Sequence, residues 1–167
     1  DFERIKNKNP WSGWKETLSE KLGNGFEVVF PQMPNKQNAR YAEWKIWFET
    51  MIPYLESEVI FVGHSLGGIF LAKYLSENNF PKKIGAVFLV AAPYDDETES
   101  SLADFKIPGN LQGLIKQGGK IFIYHSEDDP AVPVIDAKKY KQALPDAKLT
   151  IFKDREHFGQ EEFPELV

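Results

Sequence analysis

The chain of 167 residues contains no cysteine, and this absence excludes several kinds of chemistry at once. Without thiols there is no disulfide, no thiolate nucleophile and no cysteine-ligated metal. A chain without disulfides fits a reducing compartment, so we expect a cytoplasmic protein. The sequence also contains no phosphate-binding glycine loop and no cluster of metal-ligating side chains. We therefore expect neither a cofactor nor a metal.

Long apolar runs and an excess of positive charge are also missing. The longest apolar run, AVFLVAAPY at 86–94, is far shorter than the roughly 20 residues that span a bilayer, so no membrane partner is expected. Lys and Arg number 20 against 25 Asp and Glu, which gives a net charge of −5. With no basic face to neutralise phosphates, nucleic acid is not expected as a partner either.

Short apolar runs alternate along the chain with helical patterns. The runs are GFEVVFP (25–31), EVIFVG (58–63), IGAVFLVAAP (84–93), KIFIYH (120–125) and AKLTIFK (147–153). Several of them are apolar throughout, which is typical of strands that are covered on both faces. The helical patterns comprise a stripe of Trp11, Trp14, Leu18 and Leu22 closed by Gly23, a stripe of Trp44, Trp47, Phe48, Met51 and Leu55, and the segments 66–75 and 137–144.

This alternation predicts an α/β protein, a three-layer sandwich with a mostly parallel sheet and helices on both faces. With 42% apolar side chains, 167 residues can form one compact core, so we expect a single domain over 1–167. In such sheets ligands bind at the carboxyl ends of the strands. Every candidate site residue below falls at such an end.

The stretch EVIFVGHSLGGIFLAKYL at 58–75 leads from a strand pattern through small residues into a helical pattern. Gly63, Ser65 and Gly67 form the G-x-S-x-G motif of a nucleophile elbow, a strained turn whose neighbours, here including Gly68, must lack bulk. The first amides of the following helix, that of Leu66 foremost, then face the point where an oxyanion develops. We therefore predict Ser65 as the nucleophile and Leu66 as an oxyanion-hole donor.

A serine nucleophile needs a base, and the chain has only three histidines. His64 lies beside the serine in sequence, which makes it a poor base. His125 ends a strand pattern, where we expect it to pack or hydrogen-bond locally. His157 follows the last strand in a loop at the same edge of the sheet as Ser65. We therefore favour His157 as the base.

The acid that orients the base is expected after the penultimate strand, in HSEDDPAVP at 125–133. Asp129 precedes Pro130, whose fixed φ stiffens the loop, and we favour this residue. Asp128 and Asp154 are the alternatives. The resulting order of serine, acid and histidine is the order found in α/β-hydrolases.

Four segments of the chain resemble the small serine hydrolases grouped with retinoblastoma-binding protein nine and the YdeN-like proteins. They are NPWSGWKETLSEKLGNGFEVVFPQMPNKQNAR (9–40), VIFVGHSLGG (59–68), SEDDPAVP and EHFGQEEFPEL (156–166). The resemblance implies a minimal α/β-hydrolase fold without a cap domain. It also implies a triad of Ser65, Asp129 and His157 that hydrolyses small carboxylic esters, so that the partner is a small-molecule ester. The alternative is a non-catalytic protein-binding module on the same fold.

Two further expectations concern the surroundings of the site and the ends of the fold. Trp11 and Trp14 are predicted to pack in the core, with lining of the acyl pocket as a second role, and His64 is a further candidate for substrate contact. An α/β-hydrolase needs a strand and a glycine-rich loop before its first helix, and nothing before Trp11 resembles them. We therefore expect an additional N-terminal strand, between 25–30 and 58–63 in the sheet, and a last helix that continues beyond Val167.

Overall fold

The sheet is built from four parallel strands in the computed structural model, which describes residues 13–97 and 101–167. The strands are β1 (Val59–His64), β2 (Ile84–Val90), β3 (Lys120–Ser126) and β4 (Lys148–Phe152). Their order in the sheet is their order along the chain, and each pair of neighbours is parallel. The prediction of a parallel sheet from the last four apolar runs is confirmed.

Five α-helices flank the strands within the described residues. They are α1 (Trp14–Leu22), α2 (Tyr41–Met51), α3 (Leu66–Glu77), α4 (Gln112–Gln117) and α5 (Val134–Ala143). Helices α3, α4 and α5 each connect two successive strands, as parallel strands require. Four of the five match predicted helical patterns, whereas α4 has only six residues and is too short to show a period. No helix in the part of the chain that is described is long and apolar enough to cross a membrane.

Side chains that alternate along the strands cover both faces of the sheet with apolar groups. On one face, Phe61, Val87, Leu89 and Ile123 belong to a core cluster with residues of α2, α3, α4 and α5. On the other face, Val90 and Tyr124 pack with Trp14 and Leu18 of α1 and with two phenylalanines near the C-terminus, Phe158 and Phe163. Helices therefore lie on both sides of the sheet, as predicted for a three-layer α/β sandwich.

The segment 25–31 is not a strand, and its prediction was wrong. Residues 26–32 have no regular secondary structure, and β1 pairs only with β2 among the described strands. Extended backbone becomes a strand only when a neighbour accepts and donates its hydrogen bonds, and no described strand lies beside this segment. Its apolar part, residues 28–34, is instead half-buried. The expected additional strand and the continuation beyond Val167 concern sequence outside this chain and stay predictions.

A cluster of aromatic rings fixes α2 against α3 and the sheet. The Phe48 ring lies 5.6 Å from that of Phe61, 5.4 Å from that of Phe70 and 4.9 Å from that of Tyr74, measured between centroids. The contacts with Phe70 and Tyr74 are edge-to-face, a geometry that adds to the stabilisation from burial alone. Phe48 therefore joins α2, α3 and β1.

Replacing Phe48 with alanine is expected to lower the free energy of unfolding by about 3–5 kcal/mol, because the lost ring leaves a cavity between three elements. Urea denaturation followed by circular dichroism measures this change. Ile46 provides the control, since it is on the same helix and 66% exposed. Ile46→Ala is expected to change stability by no more than about 0.5 kcal/mol. Equal losses in the two variants would contradict this account of the core.

Candidate active site

Ser65 occupies the sharp turn between β1 and α3. Its backbone has φ 55° and ψ −124°, a conformation that is strained for any residue other than glycine. The turn is held by its own backbone, since the Ser65 N–H donates to the carbonyl of Val90 at 2.9 Å and its carbonyl accepts from Gly68 N–H at 2.8 Å. The strained turn predicted from the motif is therefore present, at the carboxyl end of β1.

Two glycines make this turn possible because there is no room for a side chain at their positions. A Cβ at Gly63 would lie 2.5 Å from the carbonyl oxygen of Gly67, and one at Gly68 would lie 2.5 Å from the Cβ of Ala92. Gly67 differs, because a Cβ there would meet nothing within 4 Å. The sequence argument that all three glycines are needed for lack of bulk is thus correct for Gly63 and Gly68 and wrong for Gly67.

Leu66, the residue after the serine, begins α3. The first amides of an α-helix have no partner within the helix and carry the positive end of its dipole. Leu66 also lines a cavity of about 240 Å³ next to Ser65. This is the position at which the motif predicts an oxyanion-hole donor.

His157 and Asp129 are joined by a direct hydrogen bond. His157 Nδ1 lies 2.8 Å from Asp129 Oδ2 and 3.0 Å from Oδ1. The carboxylate is fully buried and also accepts from the N–H groups of Ala131 at 2.8 Å and Val132 at 3.0 Å. Burial alone would raise the pKa of Asp129, but the hydrogen bonds from His157 and the two amides outweigh it and lower this pKa below its ordinary value. Asp129 is therefore a carboxylate that orients the ring of His157.

The two alternative acids lie elsewhere. The Asp128 side chain faces the backbone of Glu156, the residue before His157. Its Oδ1 accepts hydrogen bonds from Glu156 N–H at 2.9 Å and from the Ser126 hydroxyl. Asp154 is exposed and makes no hydrogen bond to His157 in the described structure. Of the three candidate acids, only Asp129 reaches the imidazole.

The loop that carries His157 is held in an unusual backbone conformation. Glu156 has φ 45° and Phe158 has φ 57°, so left-handed residues flank the histidine on both sides. The Trp14 indole N–H donates to the Phe158 carbonyl at 2.9 Å. Trp14 is buried, as expected for a core residue. Its hydrogen bond crosses 144 positions of sequence, and no sequence pattern indicated it.

His125 and His64 make contacts around this loop. His125 is buried, and its Nε2 lies 2.8 Å from the carbonyl of Val132, which is the local hydrogen bond that we expected of it. His64 Nε2 lies 2.8 Å from the carbonyl of His157, and the two rings are 4.8 Å apart between centroids. Because His64 directly precedes Ser65, this contact joins the segment of the nucleophile candidate to the loop of the base candidate. No hydrogen bond joins the Ser65 hydroxyl to His157 within the described residues.

The cavity beside Ser65 is small and mostly apolar. It is lined by Ser65, Leu66, Pro93, Asp95, Ser101, Leu102, Ala131, Val132, Pro133 and Asp136. Trp14 and His64 are not among these residues, so this placement does not support their predicted contact with substrate. Trp11 lies outside the described residues.

A metal centre is not indicated by the described side chains. No group of three or more His, Cys, Asp or Glu residues within 13–97 and 101–167 is arranged to hold an ion. At this edge of the sheet the described side chains comprise a serine, a histidine and a carboxylate.

The model of a family described as Serine hydrolase matches residues 5–163. The chain belongs to the serine hydrolase family. Serine hydrolase RBBP9 of Rattus norvegicus is 31% identical over 160 residues, which cover 94% of this chain and 82% of the relative. The putative hydrolase YdeN of Bacillus subtilis (strain 168) is 25% identical over 162 residues, which cover 95% and 83%. The resemblance seen in the sequence motifs is confirmed, and the chain is a hydrolase.

Solved structures agree on the fold. The crystal structure of the B. subtilis ydeN gene product matches with a TM-score of 0.72 at 24% identity, over 81% of this chain and 75% of that one. MGS-M1, an alpha/beta hydrolase enzyme from a Medee basin deep-sea metagenome library, matches with a TM-score of 0.50 at 14% identity, over 68% and 48%. The serine hydrolase family member described here therefore has a minimal α/β-hydrolase fold.

Gly63→Ala is expected to lower the free energy of unfolding by about 1–3 kcal/mol or more, because its Cβ would press on the backbone at the start of α3. Gly67→Ala is the matched control, where open space and the helical preference of alanine over glycine predict unchanged or higher stability, by up to about 1 kcal/mol. Urea denaturation of both variants gives the comparison. A stability loss at Gly67 as large as that at Gly63 would refute this reading of the turn.

Proposed function

We propose that this hydrolase cleaves small carboxylic esters with Ser65 as nucleophile, His157 as general base and Asp129 as the orienting acid. The observation that carries the proposal is the hydrogen bond of 2.8 Å between His157 Nδ1 and the buried Asp129 carboxylate. A carboxylate only accepts, so Nδ1 carries the hydrogen and Nε2 of the neutral ring keeps a lone pair. That lone pair is what a general base requires.

The chemical steps follow from these roles. The Ser65 hydroxyl attacks the ester carbonyl while its proton passes to His157 Nε2. The carbonyl oxygen becomes an oxyanion that the Leu66 N–H stabilises. The C–O bond to the alcohol then breaks, and the imidazolium returns the proton to the departing alcohol. Water, deprotonated by the same nitrogen, attacks the acyl-enzyme and releases the carboxylic acid and the free serine.

Asp129 supports these steps through its charge as well as its position. Since its pKa is lowered, the carboxylate remains ionised when His157 becomes positively charged during attack. An ionised partner in a buried site stabilises that imidazolium more strongly than it would in water. This argument favours catalysis over a purely structural hydrogen bond.

The cavity beside the serine favours short acyl groups. Its volume of about 240 Å³ lies below the roughly 300–1,000 Å³ of pockets that hold drug-sized ligands. Leu66, Pro93, Leu102 and Val132 give it apolar walls. Apolar walls of this size suit acyl groups of a few carbons, so p-nitrophenyl acetate and butyrate are suitable first substrates.

Ser65→Ala is expected to abolish ester hydrolysis and labelling by a fluorophosphonate probe, because both reactions need the nucleophilic oxygen. Turnover of p-nitrophenyl acetate and in-gel fluorescence measure the two effects, and circular dichroism checks the fold. Labelling that persists at another serine would disprove the assignment. A folded parent chain that neither turns over ester nor reacts with the probe would favour a binding module on the same fold.

Asp129→Asn is expected to lower kcat by roughly 10⁴-fold, by analogy with the same change of the triad aspartate in a serine protease. Asp128→Asn keeps an oxygen that accepts from Glu156 N–H, so its effect is expected to be about tenfold or less, the scale of one hydrogen bond. Asp154→Asn serves as the exposed control. Steady-state kinetics distinguish the three, and equal losses at 128 and 129 would contradict the choice of acid.

A further inference from the structure

We propose that His64 and Lys15 form a positioning pair that sets the place of His157 through its backbone carbonyl. Neither residue touches the reacting atoms in this proposal. His64 acts on the base from the position directly before the nucleophile, and Lys15 acts on His64. The inference rests on the proposed function, because His157 matters as a base only if the chain hydrolyses its substrate through Ser65.

Two contacts determine which ring nitrogen of His64 carries hydrogen. Its Nε2 lies 2.8 Å from the His157 carbonyl oxygen, which can only accept. Its Nδ1 lies 3.0 Å from the Lys15 ammonium, which can only donate. Both contacts are satisfied by one form of the ring, neutral with hydrogen on Nε2. Lys15 therefore selects the tautomer that allows His64 to hold the His157 backbone.

The surroundings of His64 keep its ring neutral. Burial, as the largest cause, and the nearby charge of Lys15 together lower the pKa of His64 to about 3. A second proton would sit on Nδ1 and face the ammonium group directly. The ring of His64 therefore stays neutral in esterase assays. Burial and the nearby charge of Lys36 lower the pKa of Lys15 to about 8, so Lys15 selects this tautomer as an ammonium group below about pH 8.

The loop around His157 needs such a restraint. Glu156 and Phe158 both have left-handed backbone conformations, which cost free energy and persist only when surrounding contacts enforce them. Asp128 holds the loop on one side through Glu156 N–H. His64 holds it on the other side, at the carbonyl of His157 itself.

This tether also links the two reacting groups. His64 and Ser65 are consecutive, so a rigid imidazole connects the turn of the nucleophile to the loop of the base. A displacement of about 1 Å in a catalytic group can cost about 100-fold in rate. Loss of the tether is therefore expected to reduce kcat while leaving substrate affinity nearly unchanged.

The matched variants His64→Gln and His64→Leu test the hydrogen bond. Glutamine supplies an amide N–H close to the position of Nε2, whereas leucine fills similar space with no donor. We expect His64→Leu to lower kcat about 10- to 100-fold with little change in KM, and His64→Gln to recover most of that loss. Equal losses in both variants, a rise in KM at unchanged kcat, or parent-like kinetics of His64→Leu would each overturn the proposal.

Lys15→Met tests the second member of the pair, with Lys21→Met as control. Lys21 is exposed on the same helix and pairs with Glu162 at 2.7 Å. We expect kcat to fall by roughly 3- to 10-fold for Lys15→Met, since one hydrogen bond is lost, and to stay at the parent value for Lys21→Met. An unchanged kcat in Lys15→Met would overturn the proposed pair. These two variants also decide the matter if His64→Leu does not fold.

Nitrogen-15 NMR of the imidazole rings tests the pair without any turnover. The proposal requires a pyrrole-type Nε2 and a pyridine-type Nδ1 in His64, with no titration of that ring between about pH 5 and 7, where Lys15 is charged. The opposite tautomer, or a ring that titrates in this range, would overturn it. If the parent chain shows neither turnover nor probe labelling, the proposed function fails. The NMR measurement of the His64 tautomer still tests the pair, because it does not depend on turnover.

Discussion

The close contact between the start of α3 and the ends of β1 and β2 is the constraint on which the site depends. Gly63 and Gly68 have no side chains at the positions where a Cβ would strike backbone or Ala92. The helix can therefore begin directly on the sheet, and Ser65 is forced into its strained conformation. Strain of this kind persists only where packing enforces it. The conformation of Ser65 therefore depends on the absence of side chains at these two positions.

The His157 loop is organised differently, because side chains rather than packing volume determine its backbone. Hydrogen bonds reach it from Trp14 in α1, from His64 in β1, and from Ser126 and Asp128 at the end of β3. Each of these side chains comes from an element whose position the sheet already fixes. A rigid scaffold that presents a loop from several sides is a common way to keep a catalytic side chain in place.

Local patterns in the sequence predicted those features that local patterns determine. Four apolar runs became β1 to β4, and the glycine–serine motif identified the turn at Ser65, because both depend on neighbouring residues. The run at 25–31 failed since a strand needs a partner that the run itself cannot supply. The hydrogen bonds of Lys15, Trp14 and His64 were also missed, because they join residues 49 to 144 positions apart. Such contacts exist only once the sheet has brought distant segments together.

The hydrogen bond from Ser65 N–H to the Val90 carbonyl has a consequence for how this molecule loses activity. This bond continues the ladder between β1 and β2 by one residue beyond β1. The backbone of Ser65 therefore belongs to the sheet and not to a loop that opens by itself. Amide exchange at Ser65 then reports on opening of the sheet, and heat inactivation and loss of the sheet form a single event.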